Sequence, residues 1–197
     1  MTQKFSSKST DSFRDLLQLS NCSLLISTYQ AGQLVVVRPQ NNGINTHFMG
    51  FNRPMGIALK RNEFALGGQS SITVFRNLSA AAARSDQGDN VDACYMPRRK
   101  YHTGEIDIHE MGYDDQGELW FVNTKMSCLA SLHDEYSFVP KWRPPFISSY
   151  DLTDRCHLNG LAFRDGKPRY VTLLGANDTA GGWRNNKISG GQIIDIN

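Results

Sequence analysis

A cluster of ionisable side chains in the middle of the sequence has the composition of a metal or acid–base site. It consists of His102, Glu105, Asp107, His109 and Glu110. Alternation along an extended strand would put Glu105, Asp107 and His109 on the same side. Imidazole and carboxylate groups can hold a divalent cation, and a histidine paired with a carboxylate can transfer protons. A solvated, hydrogen-bonded loop accounts for the same residues, so three interpretations stay open.

A second histidine, His157, precedes Gly160 by three residues, just as His109 precedes Gly112 by three residues. If the two glycines hold equivalent positions in a repeated unit, the two histidines are equivalent and approach a common axis. This arrangement predicts a ligand site that contains His109, His157 and Asn159. The alternative is a structural role, in which the histidines join neighbouring units through hydrogen bonds.

A long loop over residues 175–184 has the sequence GANDTAGGWR. Its glycine pair permits unusual backbone angles. Trp183 offers a stacking face, and Arg184 can bind a carboxylate or phosphate through two hydrogen bonds. The loop therefore suits an anionic or sugar-like ligand, and the alternative is a lid packed by Trp183. The predicted ligand-binding residues are His109, His157, Asn159, Asp178, Trp183 and Arg184.

These candidate residues belong to a sequence repeat that predicts the fold. The repeat is marked by Gly56, Gly112 and Gly160, which are 56 and 48 residues apart. Blades of a β-propeller recur at roughly 40–50 residues. Two apolar runs flank a turn after each glycine and a third run follows, as expected of short antiparallel strands. We therefore predict an all-β, β-propeller-like array of about four antiparallel blades, with a β-sandwich as the alternative.

The two ends of the chain predict a short helix and an incomplete array. Apolar residues within Ser12–Leu19 are spaced for a short N-terminal helix that begins at a capping serine. Residues 1–10 are polar and are predicted to be flexible, and residues 11–197 are predicted to form one propeller-like domain. The first unit lacks its innermost strand and the sequence stops on a strand. We therefore expect a piece of a longer propeller, whose further blades would cover the open edges.

The overall composition excludes several classes of protein. The chain has 197 residues, of which 40% are hydrophobic, and a net charge of +2. This charge is too small to predict binding to nucleic acid or to an anionic membrane. No apolar run reaches the length of about 18 residues that predicts a membrane-spanning helix. The polar N-terminus has no signal-peptide core, so we expect a cytoplasmic protein.

Four segments of the chain are distinctive: STYQAGQL, FNRPMGIAL, CHLNGLAFRDGKPRYVTLLGANDTAGGWR and KISGGQIIDI. Together they resemble an uncharacterised bacterial family of conserved hypothetical proteins. Some members of that family are linked to tetratricopeptide-repeat proteins, so the resemblance implies such proteins as partners. Members are longer than this chain and contain further blades. The family brings no established reaction.

A second and weaker resemblance comes from Asn159-Gly160-Leu161-Ala162, followed by Asp165-Gly166. This pattern is similar to a blade start in gluconolactonase- and strictosidine-synthase-like six-bladed propellers. In the gluconolactonase group that asparagine helps to hold a divalent cation, which implies a cation at Asn159. The ionisable cluster before Gly112 offers Glu105 or Asp107 as a further ligand for that cation. Methionines stand at the two equivalent positions of this repeat, and they are not ligands for such a cation.

The sequence as a whole predicts a cytoplasmic, propeller-like protein that binds a small polar or peptide ligand at the rim of the central channel. One alternative is a metal-dependent, lactonase-like hydrolase in which the cation activates a bound water. Another alternative is a protein-interaction scaffold. The sequence does not decide whether the protein is an enzyme.

Overall fold

The structure of the chain is a computed structural model, which describes residues 7–40, 43–84 and 91–197. Residues 1–6 of the segment predicted to be flexible lie outside the described residues. The chain divides into two compact units, Met1–Pro54 and Met55–Asn197, and each is described by itself below. The prediction of a single domain over residues 11–197 stays a prediction.

The predicted all-β, propeller-like fold class is confirmed. The strands form four antiparallel sheets, and hydrogen-bonded neighbours within each sheet are consecutive in the sequence. This order follows from the short turns between successive strands, which return the chain beside the strand it has just left. A β-sandwich would divide its strands between two sheets, so the four sheets exclude that alternative for the described residues.

In residues 7–40 and 43–54, the first unit contains one helix and one sheet of three strands. The helix α1 spans Asp11–Leu19. The strands are β1 (Leu24–Thr28), β2 (Gln33–Gln40) and β3 (Gly43–Gly50). Leu17 of α1 is buried in an apolar cluster with Val35 and Val37 of β2. The helix therefore covers one face of this sheet.

The predicted N-terminal helix is confirmed, but its capping residue differs from the sequence analysis. The backbone N–H of Phe13 donates to Oγ1 of Thr10 at 3.3 Å. Ser12, the capping residue expected from the sequence, lies inside the helix. Thr10 directly precedes the first helical residue, Asp11, and it has the extended backbone that a capping residue needs.

In residues 55–84 and 91–197, the second unit contains three sheets and two short helical segments. Its first sheet comprises β4 (Ile57–Lys60), β5 (Glu63–Gly67), β6 (Ser71–Asn77) and β7 (Tyr95–His102). Its middle sheet comprises β8 (Met111–Tyr113), β9 (Leu119–Asn123), β10 (Cys128–Leu132) and β11 (Phe138–Trp142). Its last sheet comprises β12 (Leu158–Arg164), β13 (Lys167–Leu173) and β14 (Gln192–Asp195). The helical segments are α2 (Ser79–Ala82) and a 3-10 helix (Gly182–Asn186).

Two of these strands, β7 and β11, are fourth strands that the sequence analysis did not predict. Each contains a proline, Pro97 or Pro140, together with basic residues. Such residues resemble a loop in the sequence. They are also the residues that keep an exposed edge strand from pairing with another chain, and both strands lie at the outer edge of their sheets.

The middle sheet of the second unit packs on both of its neighbours. Phe121 of β9 belongs to an apolar cluster with Ile72 and Val74 of β6. Val122, the next residue, belongs to a different cluster, with Val171 of β13. Because side chains alternate along a strand, successive residues of β9 supply the two cores. The three sheets therefore form a stack, with one apolar layer on each face of the middle sheet.

Two of the glycines that mark the repeat, Gly56 and Gly112, lie where neighbouring sheets approach each other closely, whereas Gly160 lies against Thr172 of its own sheet. A Cβ atom on Gly112 would lie 2.4 Å from Cε2 of Phe163, which is on β12. A Cβ atom on Gly56 would lie 3.1 Å from Cγ of Met111, which is on β8. Each of Gly56 and Gly112 therefore lets the first strand of the following sheet, or the residue at its start, approach the backbone. The repeat in the sequence records this packing.

No helix of the described residues is long and apolar enough to cross a membrane.

Candidate functional site

The two histidines that the repeat predicts to be equivalent are in contact. His109 precedes β8 and His157 precedes β12, so the pairing of the sheets brings the starts of these two strands together. The ring centroids are 4.9 Å apart, and the rings make an angle of 74°. The sequence prediction that both histidines approach one place is therefore met by direct ring contact.

His109 has a defined tautomer because of its bond to Asn159. Nδ1 of His109 lies 3.1 Å from Nδ2 of the Asn159 amide. An amide nitrogen can only donate, so Nδ1 of His109 accepts, and the neutral ring carries its proton on Nε2. Burial, and then the nearby His157, lower the pKa of His109. The ring therefore favours the neutral form that this hydrogen bond requires.

His157 has the opposite tautomer because of its bond to Asp154. Nδ1 of His157 lies 2.9 Å from Oδ2 and 3.2 Å from Oδ1 of the Asp154 carboxylate. A carboxylate accepts, so the His157 ring donates from Nδ1 and keeps a lone pair on Nε2. The two histidines thus differ in function: Nε2 is a donor in His109 and an acceptor in neutral His157. We call His109, His157, Asn159 and Asp154 the histidine cluster.

Asp154 is the residue around which the cluster is organised, and the sequence analysis did not select it. Its Oδ2 atom also accepts a hydrogen bond from Nε1 of Trp183 at 3.0 Å. The Arg184 guanidinium lies 3.6 Å from the same oxygen. The sequence signal for Asp154 is its place three residues before His157, in a segment otherwise singled out only as polar.

Both residues of the Asp154–His157 hydrogen bond have left-handed backbone geometry. Asp154 and His157 have φ angles of 51° and 50°. Non-glycine residues adopt such angles at a cost of about 1–3 kcal/mol each, and they concentrate at functional sites. Asp107, which lies in the segment before β8, has a φ angle of 50°. The segments that lead into β8 and β12 therefore both contain this strained geometry.

Trp183 has a different environment from the one expected of a stacking platform. Only 7% of its surface is exposed. Its ring centroid lies 4.3 Å from that of His157, and the guanidinium carbon of Arg184 is 4.3 Å from the indole. Nζ of Lys187 is a further neighbour, 5.3 Å from the ring centre. These contacts favour the alternative from the sequence analysis, in which Trp183 packs the loop and supports the cluster.

Arg184 is the positively charged residue of the loop 175–184, and its side chain is accessible. Its side chain is 55% exposed, while its partner Asp154 is 16% exposed. The guanidinium has five N–H donors in a planar fork, and the contact with Asp154 uses one edge of it. The remaining donors can take a carboxylate or phosphate beside the histidine cluster.

Asp178, the remaining predicted ligand-binding residue, belongs to a separate ion-pair network. The Arg155 guanidinium donates to Asp178 at 2.7 Å and also contacts Asp151. The backbone N–H of Ser148 donates to the Asp178 carboxylate at 2.9 Å. This bond and the bond from Arg155 lower the pKa of Asp178 to about 2. Asp178 therefore ties the long loop to the segment before β12, and its partners in the described part of the chain are Arg155 and Ser148, not residues of the histidine cluster.

The residues predicted to bind a metal are engaged in different contacts. Glu105 accepts a hydrogen bond from Gln69 at 2.6 Å and lies 3.8 Å from Nζ of Lys125. Asn159 binds His109, and the charge of Asp107 acts on the same histidine. Within residues 7–40, 43–84 and 91–197, no group of three His, Cys, Asp or Glu residues is placed to hold a metal ion. The divalent cation stays a prediction, and these contacts do not support it.

Comparison with known families gives a match over most of the chain. Residues 11–197 match the family described as Domain of unknown function (DUF4915). The chain belongs to the DUF4915 family. This agrees with the predicted resemblance to an uncharacterised family. The resemblance of the DUF4915 chain to lactonase-like propellers, its cytoplasmic location and its tetratricopeptide-repeat partners stay predictions.

Comparison with solved structures gives a weak similarity to a longer chain. The DUF4915 chain is similar to the selenomethionine-substituted virginiamycin B lyase from Staphylococcus aureus, with 12% sequence identity and a TM-score of 0.45. The match covers 89% of the DUF4915 chain and 53% of the lyase chain, so the DUF4915 chain spans about half the length of that protein. No curated protein matches the sequence.

Proposed function

We propose that the DUF4915 chain binds a small anionic ligand at the histidine cluster, with Arg184 as the group that attracts its charge. One observation carries this proposal: side chains from three separate segments meet at the histidine cluster and leave the Nε2 atoms of both histidines without a hydrogen bond among the described residues. The segments are those of His109, of residues 154–159, and of the 3-10 helix. A carboxylate or phosphate fits this set because both imidazole and guanidinium groups bind oxyanions.

The local charge supports an anion as the ligand. Arg184 and Lys187 both lie against Trp183, and only Arg184 has an acidic partner in this cluster. The side chain of Arg184 is more than half exposed, so an incoming anion can reach it without unfolding the loop. A peptide with a free C-terminal carboxylate presents the same chemical group, so a peptide ligand is one form of this proposal.

The strained backbone is the second support for a binding function. Asp154 and His157 both lie in the left-handed region, which costs a non-glycine residue about 1–3 kcal/mol. The strain is retained because Trp183 and Arg184 fix the Asp154 carboxylate. A preorganised site of this kind binds its ligand without a further ordering cost.

Calorimetric titration tests this proposal with pyruvate, inorganic phosphate and an alanine dipeptide as probes. We expect at least one of them to bind, and Arg184→Gln to weaken that binding by about 10- to 100-fold, the usual worth of a charged hydrogen bond. Arg164→Gln is the matched control, because Arg164 is 63% exposed and lies at the far end of β12. Equal affinity in the two variants would remove Arg184 from the site, and no binding of any probe would reject the proposal.

A further inference from the structure

We propose that the histidine cluster is a proton-transfer site that enolises a small carbonyl compound bearing a carboxylate. His157 is the base, His109 is the donor that stabilises the enolate oxygen, and Asp154 is a positioning residue. This inference rests on the proposed function, because Arg184 is the group that holds the carboxylate of the substrate. The chemical class is that of the 2-oxo acids.

His157 has the contacts of a general base. Its Nδ1–H donates to Asp154, so the lone pair on Nε2 is the only acceptor that the neutral ring offers. The carboxylate fixes the orientation of the ring and stabilises the imidazolium that forms when Nε2 takes a proton. In the part of the chain that the structure describes, Nε2 of His157 makes no hydrogen bond.

His109 has the contacts of a neutral hydrogen-bond donor. The side-chain amide of Asn159 donates a hydrogen bond to Nδ1 of His109, so the ring proton lies on Nε2. Among the described residues, this Nε2–H has no acceptor, which distinguishes the pair from a purely structural tie that would use both nitrogens of each ring. The ring centres are 4.9 Å apart, so both rings can reach neighbouring atoms of one bound molecule.

The proposed step transfers one proton and needs no further reactant. The carbon next to the carbonyl group loses a proton to Nε2 of His157. The electron pair of that C–H bond becomes the carbon–carbon double bond of the enolate, and the carbonyl π electrons move to oxygen. His109 keeps its proton and donates a hydrogen bond to this oxygen. In heavy water the His157 imidazolium exchanges its proton with solvent and returns a deuteron to the carbon.

Proton NMR in heavy water tests the proposal on the full chain, with pyruvate, 2-oxobutyrate and 2-oxoglutarate as probes. We expect the protons next to the carbonyl group of at least one probe to exchange faster than in buffer. His157→Gln should slow this exchange about 100-fold or more, and His109→Gln should slow it by about 10- to 100-fold. Asp154→Asn should lower kcat with little change in KM, as expected of a residue that positions the base.

His133→Gln is the matched control, because His133 is an exposed histidine whose Nδ1 accepts backbone hydrogen bonds in a turn. It should exchange the probe at the wild-type rate. Circular dichroism on every variant separates loss of exchange from loss of folding. A folded His157→Gln protein that exchanges at the wild-type rate would overturn the proposal.

The same samples separate this inference from the proposed function. If calorimetry shows that the oxo acids bind but their protons do not exchange, the proton-transfer site is rejected and the anion site stands. If the acids neither bind nor exchange, the proton-transfer site is rejected, and the anion site is rejected with it only when phosphate and the alanine dipeptide also fail to bind. If exchange is lost in His157→Gln but kept in Arg184→Gln, the proton-transfer site stands and the role of Arg184 is wrong.

Discussion

At the scale of the residue, the carboxylate of Asp154 is the acceptor that the side chains around the histidine cluster share. One carboxylate accepts from the imidazole of His157 and the indole of Trp183, and it also lies beside the Arg184 guanidinium. These donors come from two segments, so Asp154, like Asp178, helps to hold the loop with the 3-10 helix to the start of β12. The chemistry of the cluster therefore depends on the charge of Asp154 as well as on its shape.

We predict that Asp154→Asn loses about 1–3 kcal/mol of folding free energy, the usual cost of an unsatisfied buried polar group. The amide has nearly the shape of the carboxylate, but its nitrogen would present donors to the donors of His157 or Trp183. Urea unfolding followed by tryptophan fluorescence measures the loss. Asp165→Asn is the control, because Asp165 is 93% exposed in a turn, and an equal loss in both variants would contradict the role of Asp154.

The pKa of His109 gives a second prediction at this scale. Burial is the larger cause of its lowered pKa, and the neighbouring His157 is the next, while Asp107 and Asp154 act in the opposite direction. We expect His157→Gln to raise the pKa of His109, because the repulsion from a protonated neighbour disappears. Titration of the ring protons by NMR measures the shift. A His109 pKa that is the same in wild type, His157→Gln and the His133→Gln control would contradict the coupling.

This lowered pKa also gives the stability a pH dependence of known sign. In the unfolded chain the pKa of His109 is about 6.5, and in the folded protein its pKa lies below that value. Between the two values the unfolded state binds more protons, so the contribution of His109 is complete above about pH 6.5 and is lost as the pH falls through the folded pKa. Urea unfolding of wild type and His109→Gln across this range should show a smaller loss of stability on acidification in the variant.

At the scale of the element, glycines of the repeat allow the first strands of neighbouring sheets to approach each other closely. Gly112 on β8 leaves room for the ring of Phe163 on β12, and a Cβ atom there would meet two ring carbons below 3.0 Å. A shift of β12 would also displace His157 and Asn159, which stand at its start. The packing of an apolar ring against a glycine thus sets the distance across the histidine cluster.

We predict that Gly112→Ala destabilises the protein by about 1–3 kcal/mol, as expected when a methyl group is forced into a filled space. Gly50→Ala is the matched control, because a Cβ atom on Gly50 meets nothing within 4 Å. The midpoint of urea unfolding measures both. Shortening the opposing ring in Gly112→Ala/Phe163→Leu should recover part of the loss, and no recovery would contradict the proposed contact.

At the scale of the whole unit Met55–Asn197, the middle sheet is the shared structural support. Phe121 and Val122 are both fully buried and belong to different apolar clusters. Removing either side chain leaves a cavity. The neighbouring sheets could fill this cavity only if a whole sheet shifted as a rigid unit. Stability in this unit is therefore expected to be cooperative across its three sheets.

We predict that Phe121→Ala costs about 3–5 kcal/mol, the range for a large aromatic residue removed from a core. Tyr136→Ala, at a residue that is 59% exposed, is the control and should change stability little. Hydrogen exchange should show protection lost in β6 and in β13 as well as in β9. Loss confined to β6 and β9 would show that the last sheet unfolds independently of the other two and would contradict cooperativity across all three sheets.

Much of the fold was determined by the sequence alone, because strand formation depends on local features. The apolar runs, the Asp165-Gly166 turn and the repeat of Gly56, Gly112 and Gly160 predicted the strands and their sequential pairing. Asp165 and Gly166 have φ angles of 50° and 74°, which is the geometry of a tight hairpin turn. The same repeat identified His109 and His157 as equivalent. These predictions hold because turn angles and side-chain alternation are set within a few neighbouring residues.

Only the tertiary structure decided which polar groups become partners. Asp154 and Asp178 both lie in polar segments near arginines, but Asp154 joins the histidine cluster and Asp178 joins Arg155. Trp183 stands in a flexible-looking, glycine-rich loop, yet it is buried because Asp154 accepts its indole N–H. The choice of partner depends on which loops meet when the sheets stack. The apolar layers between the sheets determine which loops lie close together. The sequences of the loops themselves do not contain this information.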